Sequence, residues 1–354
     1  MAEQANDKSK ADAKAQPQTG AKPQAAEPKQ TRIVAQWKYG QPFLNCKVDP
    51  TGAYVVASSE DRSLQRFSVD DGKRVALSGH LSWTRGLAFT PDGKTLISGG
   101  YDGRLIWWPL VGEKPEPARQ IDRAHDGWIR DVAISPDGTR VATVGNDLRV
   151  RLWNVDDGEP IAQFDGHESH VYGVTFDPTG EHVVTGDLHG HIKQWHIADG
   201  KPVRDLEASD MTKYDPTFRA QYGGVRQMSF SPDGADLLCA GLHKCTNAFA
   251  GKNEPIVVRF DWESGKVARS HASSGVQGIA WAAADHEQDF VVAGSGGSSG
   301  GYLLFWKRDQ DKPFHKLKMK NTVRGFDLHP DGLRIATAHH DGHFRLAIMQ
   351  SKGA

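Results

Sequence analysis

The residues best suited to chemistry come in sets. His80, Ser98 and Asp102 are the side-chain types of a nucleophilic triad, in which a hydroxyl yields its proton to an imidazole held by a carboxylate. His125, Thr143 and Asp147 repeat the combination. An enzyme needs its nucleophile once, so the repetition argues for a structural duty. Arg85, Arg130, Arg226 and Arg324 form another set, with Trp83, Tyr101, Trp128 and Tyr172 close by in sequence. Guanidinium groups flanked by aromatic rings suit a carboxylate or a phosphate, through paired hydrogen bonds and stacking. Two histidine groups (His189 and His191; His339, His340 and His343) and the trio Cys239, His243 and Cys245 have metal-binding side chains. Neither histidine group has a third or fourth ligand at suitable spacing, and the trio is incomplete, so no metal site is expected.

These residues must be held by short elements. Residues 125–158 contain three alternating runs, 129–134, 140–144 and 149–154, separated by the turns Ser135-Pro136-Asp137-Gly138 and Asn146-Asp147. A fourth run, 160–164, follows Asp156-Asp157-Gly158. Period-two apolar spacing bounded by Pro, Gly and Asp predicts strands joined by hairpins. Four such strands make a sheet too small to stand alone. The unit recurs: the turn prolines fall at Pro50, Pro91, Pro136, Pro178, Pro232 and Pro330, and the last gap holds two units. The unit around Trp281 has residues 282–288 where the Pro-Asp-Gly turn should be. Seven units of roughly 40 to 45 residues predict a seven-bladed β-propeller of four-stranded antiparallel blades.

Gly79-His80, Gly166-His167 and the third-strand tryptophans Trp108, Trp153, Trp195 and Trp306 resemble the WD-repeat family from about Thr31 onward. The resemblance implies a hydrogen-bonded set in each blade: a histidine before the first strand, Ser or Thr on the second, aspartate in the next turn and tryptophan on the third. His80, Ser98, Asp102 and Trp108 match it, as do His125, Thr143, Asp147 and Trp153. Tryptophan only donates and ionised aspartate only accepts, so such a set satisfies buried polar groups. Blade four has His167, Thr185 and Trp195, with His189 in place of the aspartate; blade one has Gln41 and Phe67, and blade seven Ala347 for the tryptophan. Those blades are expected to depend more on apolar packing. Residues 33–37 match a fourth strand, and the seventh unit stops after its third, so the early strand is expected to complete the last blade and remove an open edge.

In that ring the position after each opening Val or Ile reads Leu44, Arg85, Arg130, Tyr172, Arg226, Gln277 and Arg324. First strands line the axis. The arginines, with Trp83, Tyr101, Trp128 and Tyr172, are therefore expected to surround the channel mouth, where WD-repeat proteins commonly meet partners. Glu60, Asn146 and His340 join them from the position before each turn aspartate. Insertions at 208–222 and 242–254 of blade five, and the glycine-serine loop 294–301 of blade six, fall on that face, as long insertions in repeat proteins tend to. The expected function is a non-catalytic protein-interaction scaffold for an acidic or phosphorylated protein or peptide. The competing reading is a propeller hydrolase or lyase with its site at the central channel.

Composition bounds the rest. The 354 residues carry a net charge of −1, which gives no global attraction to nucleic acid or an anionic membrane. Lys316, Lys318 and Lys320 alternate with less polar residues as an outer strand would, where lysine discourages sheet-to-sheet pairing. Three cysteines are too few for a disulfide framework, and no apolar leader or membrane-length run is visible; a cytoplasmic, monomeric ring without cofactor is expected. Residues 1–31, rich in Ala, Lys, Gln and Pro without an aromatic ring, predict a disordered tail ahead of a propeller over 32–354.

Overall fold

The computed structural model describes residues 25–351, except 111, 113–114, 218 and 248–251. Seven four-stranded antiparallel sheets follow one another around an axis. The first strands are Phe43–Val48, Thr84–Phe89, Ile129–Ile134, Val171–Phe176, Val225–Phe230, Ile279–His286 and Val323–Leu328. Each packs against the first strand of the next blade, and the seventh packs against the first, so the ring shuts. Strands Thr31–Lys38 and His343–Met349 pair antiparallel and make the seventh blade complete. The Trp37 indole lies flat on Phe344, with ring centroids 5.5 Å apart, and Phe344 in turn stacks on Phe67 of blade one.

The apolar core is divided into seven clusters, one at each seam between neighbouring blades. Alternation explains this: one face of each strand points to the preceding blade and the other to the following blade, so both faces are buried. The seam of blades one and two is typical, with Val56, Leu64 and Leu77 meeting Leu96, Ile106 and Trp108. Burying a side chain of this size contributes roughly 1.5–3 kcal/mol, which a lone blade cannot collect.

The turns between first and second strands obey one rule. Gly52, Gly93, Gly138, Gly180, Gly234 and Gly332 all have φ between 69° and 76°, and each donates its N–H to a carbonyl three residues earlier. Blade six keeps the geometry without the proline or the glycine. Its first strand runs on to His286, and Asp289 adopts φ 59°, a left-handed conformation that aspartate tolerates better than most residues.

Three segments gain detail from the structure. The glycine-serine segment of blade six is no open loop: strands Phe290–Gly297 and Gly300–Lys307 pair as far as Gly297 with Gly300. The blade-five insertions are also built structure. Residues Asp236–Asn247 and Lys252–Asp261 form one long hairpin, and a separate hairpin pairs Thr212–Asp215 with Ala220–Gly223. At the start of the chain, residues 25–31 belong to the folded body: Ala26 N–H donates to Gln288, Glu27 N–H donates to Met349, and Pro28–Gln30 form a 3₁₀ turn. The disorder expected for residues 1–24 lies outside the described residues.

Candidate anion-binding channel mouth

Every first strand carries a β-bulge at the same register. The ladder skips one residue between Phe43 and Asn45, Thr84 and Gly86, Ile129 and Asp131, Val171 and Gly173, Val225 and Gln227, Ala280 and Ala282, and Val323 and Gly325. The skipped residues are Leu44, Arg85, Arg130, Tyr172, Arg226, Trp281 and Arg324. A bulge leaves a residue unpaired and re-aims its side chain. All seven line one axial cavity of about 620 Å³. The blade-six member is Trp281, not Gln277 as the sequence alignment has it. Gln277 lies outside the strand, where its carbonyl and side chain accept hydrogen bonds from Ser299 and Ser298.

The four arginines meet different neighbours. Arg130 is the most constrained. It donates to Asn146 Oδ1 at 2.7 Å and to the Tyr101 hydroxyl at 2.6 Å, and its guanidinium lies over Tyr101, Trp128 and Tyr172. Tyr101 and Trp128 stack in parallel with centroids 4.4 Å apart. Arg226 donates to the carbonyls of Gly223 and Val225 and lies 4.9 Å from the centre of the Tyr172 ring. Among the described residues Arg85 donates no hydrogen bond through its guanidinium, which rests 4.3 Å over Trp281. Among the described residues Arg324 is the one arginine of the four that pairs with a carboxylate, Glu60 Oε1 at 2.6 Å. Trp83 and Trp128 are 43% and 44% exposed, so the rim offers apolar surface beside charge.

Electrostatics in the mouth favours an incoming anion. Burial pushes the Arg226 guanidinium down to about 10, with Arg85 and Arg130 adding repulsion against the help of Tyr172 and Tyr101. Burial lowers Arg85 too, and Arg324 and Arg130 contribute. Arg85 and Arg226 thus repel one another across the mouth, and an anion bound between them would relieve that repulsion. Asp131, which also lines the cavity, accepts the N–H groups of Val132 and Val174, and burial pushes it up to about 7 against the pull of Lys47 and Arg85.

Asp131 belongs to a second repeated position, directly after the bulge, which faces the next blade. Asn45, Asp131 and Gln227 each bridge there to backbone of the following first strand. Gly86, Gly173 and Gly325 occupy it in three other blades. At Gly325 a Cβ would lie 2.4 Å from the Cys46 nitrogen, so the backbones approach too closely for a side chain. Six of the seven axial strands thus carry a polar bridge or a close-packed glycine at this position, blade six having Ala282, and the bulge residues line the opening.

The histidine sets lie between strands, away from this opening. Ser98 Oγ takes the Trp108 indole N–H at 2.8 Å and meets His80 Nε2 at 2.8 Å, while His80 Nδ1 is 3.2 Å from Asp102. Thr143 meets Trp153 and His125 in the same way, and His125 Nδ1 is 2.8 Å from Asp147. Ser98 and Thr143 are completely buried, so neither hydroxyl can reach a substrate. Blade four corrects the sequence reading: its carboxylate is Asp187, on the strand itself, 3.0 Å from His167 Nδ1, with Thr185 joining His167 and Trp195. Blade seven also keeps polar contacts, of another design. His339 links Thr337 to the Asn321 carbonyl, and buried Arg345 pairs with Asp341.

Residues 73–109, 117–154 and 158–196 each match the family model described as WD domain, G-beta repeat. Each matched stretch begins with the outer strand of one blade and ends with the third strand of the next, the same offset that closes the ring. This chain carries WD repeats over residues 73–196. A 94-residue stretch is 30% identical to nuclear distribution protein nudF 2 of Penicillium rubens, covering 26% of this chain and 20% of that protein. Nuclear distribution protein PAC1 of Arthroderma otae is 36% identical over 67 residues, or 19% of this chain and 14% of that one. Small ribosomal subunit protein RACK1y of Oryza sativa subsp. japonica is 34% identical over 67 residues, or 19% of this chain and 20% of that one. The chain spans a fifth or less of the length of these curated relatives.

The other chemically suggestive groups in this propeller are dispersed. Among the described residues no three His, Cys, Asp or Glu side chains gather as metal ligands would. His191 lies 3.6 Å from both Asp187 and Glu207, on blade four. Cys239 packs in the seam of blades four and five, where burial pushes its thiol up, and His243 faces Glu254 at 3.6 Å. His315–Met319 is the outer strand of blade six, with Lys316 and Lys318 exposed. Among the described residues no helix is long and apolar enough to cross a membrane.

Proposed function

We propose that this WD-repeat protein is a non-catalytic interaction scaffold that binds an acidic or phosphorylated segment of a partner protein at the arginine-lined mouth. One observation carries the reading: the bulge aims four arginines into one opening, and Arg85, Arg130 and Arg226 have no carboxylate bonded to them among the described residues. Cations collected without counter-charge cost stability, and an anionic ligand recovers that cost on binding. Trp83, Tyr101, Trp128 and Tyr172 supply the apolar contact that side chains flanking the anion need; Tyr, Trp and Arg are the types that dominate interface energetics.

The test uses a hexapeptide of glycine and serine carrying one phosphoserine, and its glutamate counterpart. Titration calorimetry should find binding of one or both to the wild-type protein. The R85E/R226E double variant should bind at least about a hundredfold more weakly, as expected for losing two charge-assisted contacts. Its unfolding temperature should stay near that of the parent. Undiminished binding by the folded double variant would put the site elsewhere.

A further inference from the structure

We infer that Glu60 is a resident competitor for the anion, a carboxylate supplied by the fold itself that occupies Arg324 and sets how tightly the mouth binds. The inference rests on the proposed function and adds a residue that decides affinity. Glu60 precedes the turn between the second and third strands of blade one. In blades two and three the equivalent places hold Tyr101 and Asn146, and both contact an arginine of the mouth, Arg130. The position therefore dresses the arginines, and blade one alone among these three brings a charge to it. The Glu60 backbone is pinned: its N–H donates to Pro42 at 2.9 Å, and its carbonyl accepts the Trp83 indole N–H at 3.0 Å. Its side chain is not sealed in. Glu60 and Arg324 are 25% and 27% exposed at the side chain, so water and a ligand reach the pair. A carboxylate on a fixed base over an accessible arginine can swing aside without disturbing the blade.

Two effects follow when a partner's anion enters. Glu60 covers one of the four guanidinium groups, and its own charge repels the newcomer from a site that Arg85 shares with Arg324. Removing it should therefore strengthen binding, the reverse of what trimming an ordinary contact residue does. E60Q removes the charge and keeps the shape; E60A removes both.

The experiment titrates the phosphoserine hexapeptide into wild type, E60Q, E60A and R85E/R226E, with the unfolding temperature of each recorded. Both Glu60 variants should bind about fivefold tighter or more, the change that matches loss of a partly exposed ion pair. Binding should also fall less steeply with the partner's competitor, inorganic phosphate, in wild type than in E60Q at equal phosphate concentration. Wild-type binding that is lost in R85E/R226E but unchanged or weakened in folded E60Q and E60A overturns the role of Glu60 and leaves the anion site standing. Binding that no variant alters, or none by any form including E60Q, overturns both.

Discussion

Asp187 demonstrates how a side-chain role survives a change of sequence position. Blades two and three place their aspartates four residues after the Ser or Thr and keep Gly100 and Gly145 at the intervening strand position. A Cβ on Gly100 would lie 2.4 Å from Asp102 Oδ1 and 2.5 Å from His80 Nδ1, so a strand aspartate and a turn aspartate compete for one space. Blade four fills it from the strand. Hydrogen bonds from His167, His191 and His189 then outweigh burial and hold Asp187 below the usual carboxylate range. The two alternatives make opposite demands on mutants. Asp187→Ala should lower stability by about 1–3 kcal/mol in urea denaturation, because His167 loses its buried acceptor. His189→Ala should change it by under about 0.5 kcal/mol. A costlier change at His189 would restore the reading made from sequence alone.

At the scale of elements, the bulge does what residue types cannot do alone. Repeated turns, strand lengths and closure by the early strand were legible because Pro, Gly and alternation punctuate every blade. The arginines were legible as a ring because each follows a β-branched residue that opens a first strand. Trp281 was not, because its blade lacks the turn proline that anchors the alignment and the residue before it is Ala280, which is not β-branched. The Glu60–Arg324 pair was hidden for another reason: its members lie 264 residues apart and meet only across the closing seam. Strand ends also carry a titration. Burial lowers His271 and His339 to about 4, with Arg259 and Arg345 among the nearby cations, against hydrogen bonds to Gln310 and Asn321 and the acids Asp311 and Asp341. Unfolded, both would titrate near the ordinary value of about 6.5. The unfolded chain takes those protons first, so stability is full above about 6.5 and declines as pH falls toward 4. The slope should approach roughly 1.4 kcal/mol per pH unit for each group. Asp102, Asp147 and Asp187 sit below the ordinary carboxylate value, so their contribution is lost only at lower pH. Asp131, pushed up to about 7, takes its proton first in the folded protein and offsets part of that decline. Urea midpoints should still fall between pH 7 and 4.5, and the His271→Gln/His339→Gln variant should flatten or reverse the fall. An equal slope in both proteins would remove these histidines from the account.

For the molecule as a whole, seven seams share the apolar core and no blade is self-sufficient. At the centre, polar bridges and glycine contacts join six of the seven first strands to their neighbours, so the backbone of the mouth is organised before a partner arrives. Preorganisation of that kind lowers the cost of binding a flexible anionic segment. A crystal structure of the protein with the phosphoserine hexapeptide tests this most directly. The account predicts density for the phosphoryl group in the axial mouth, within hydrogen-bonding distance of Arg85 and Arg226. Peptide density on the opposite face or along the outer strands, with the mouth left to water, would contradict it.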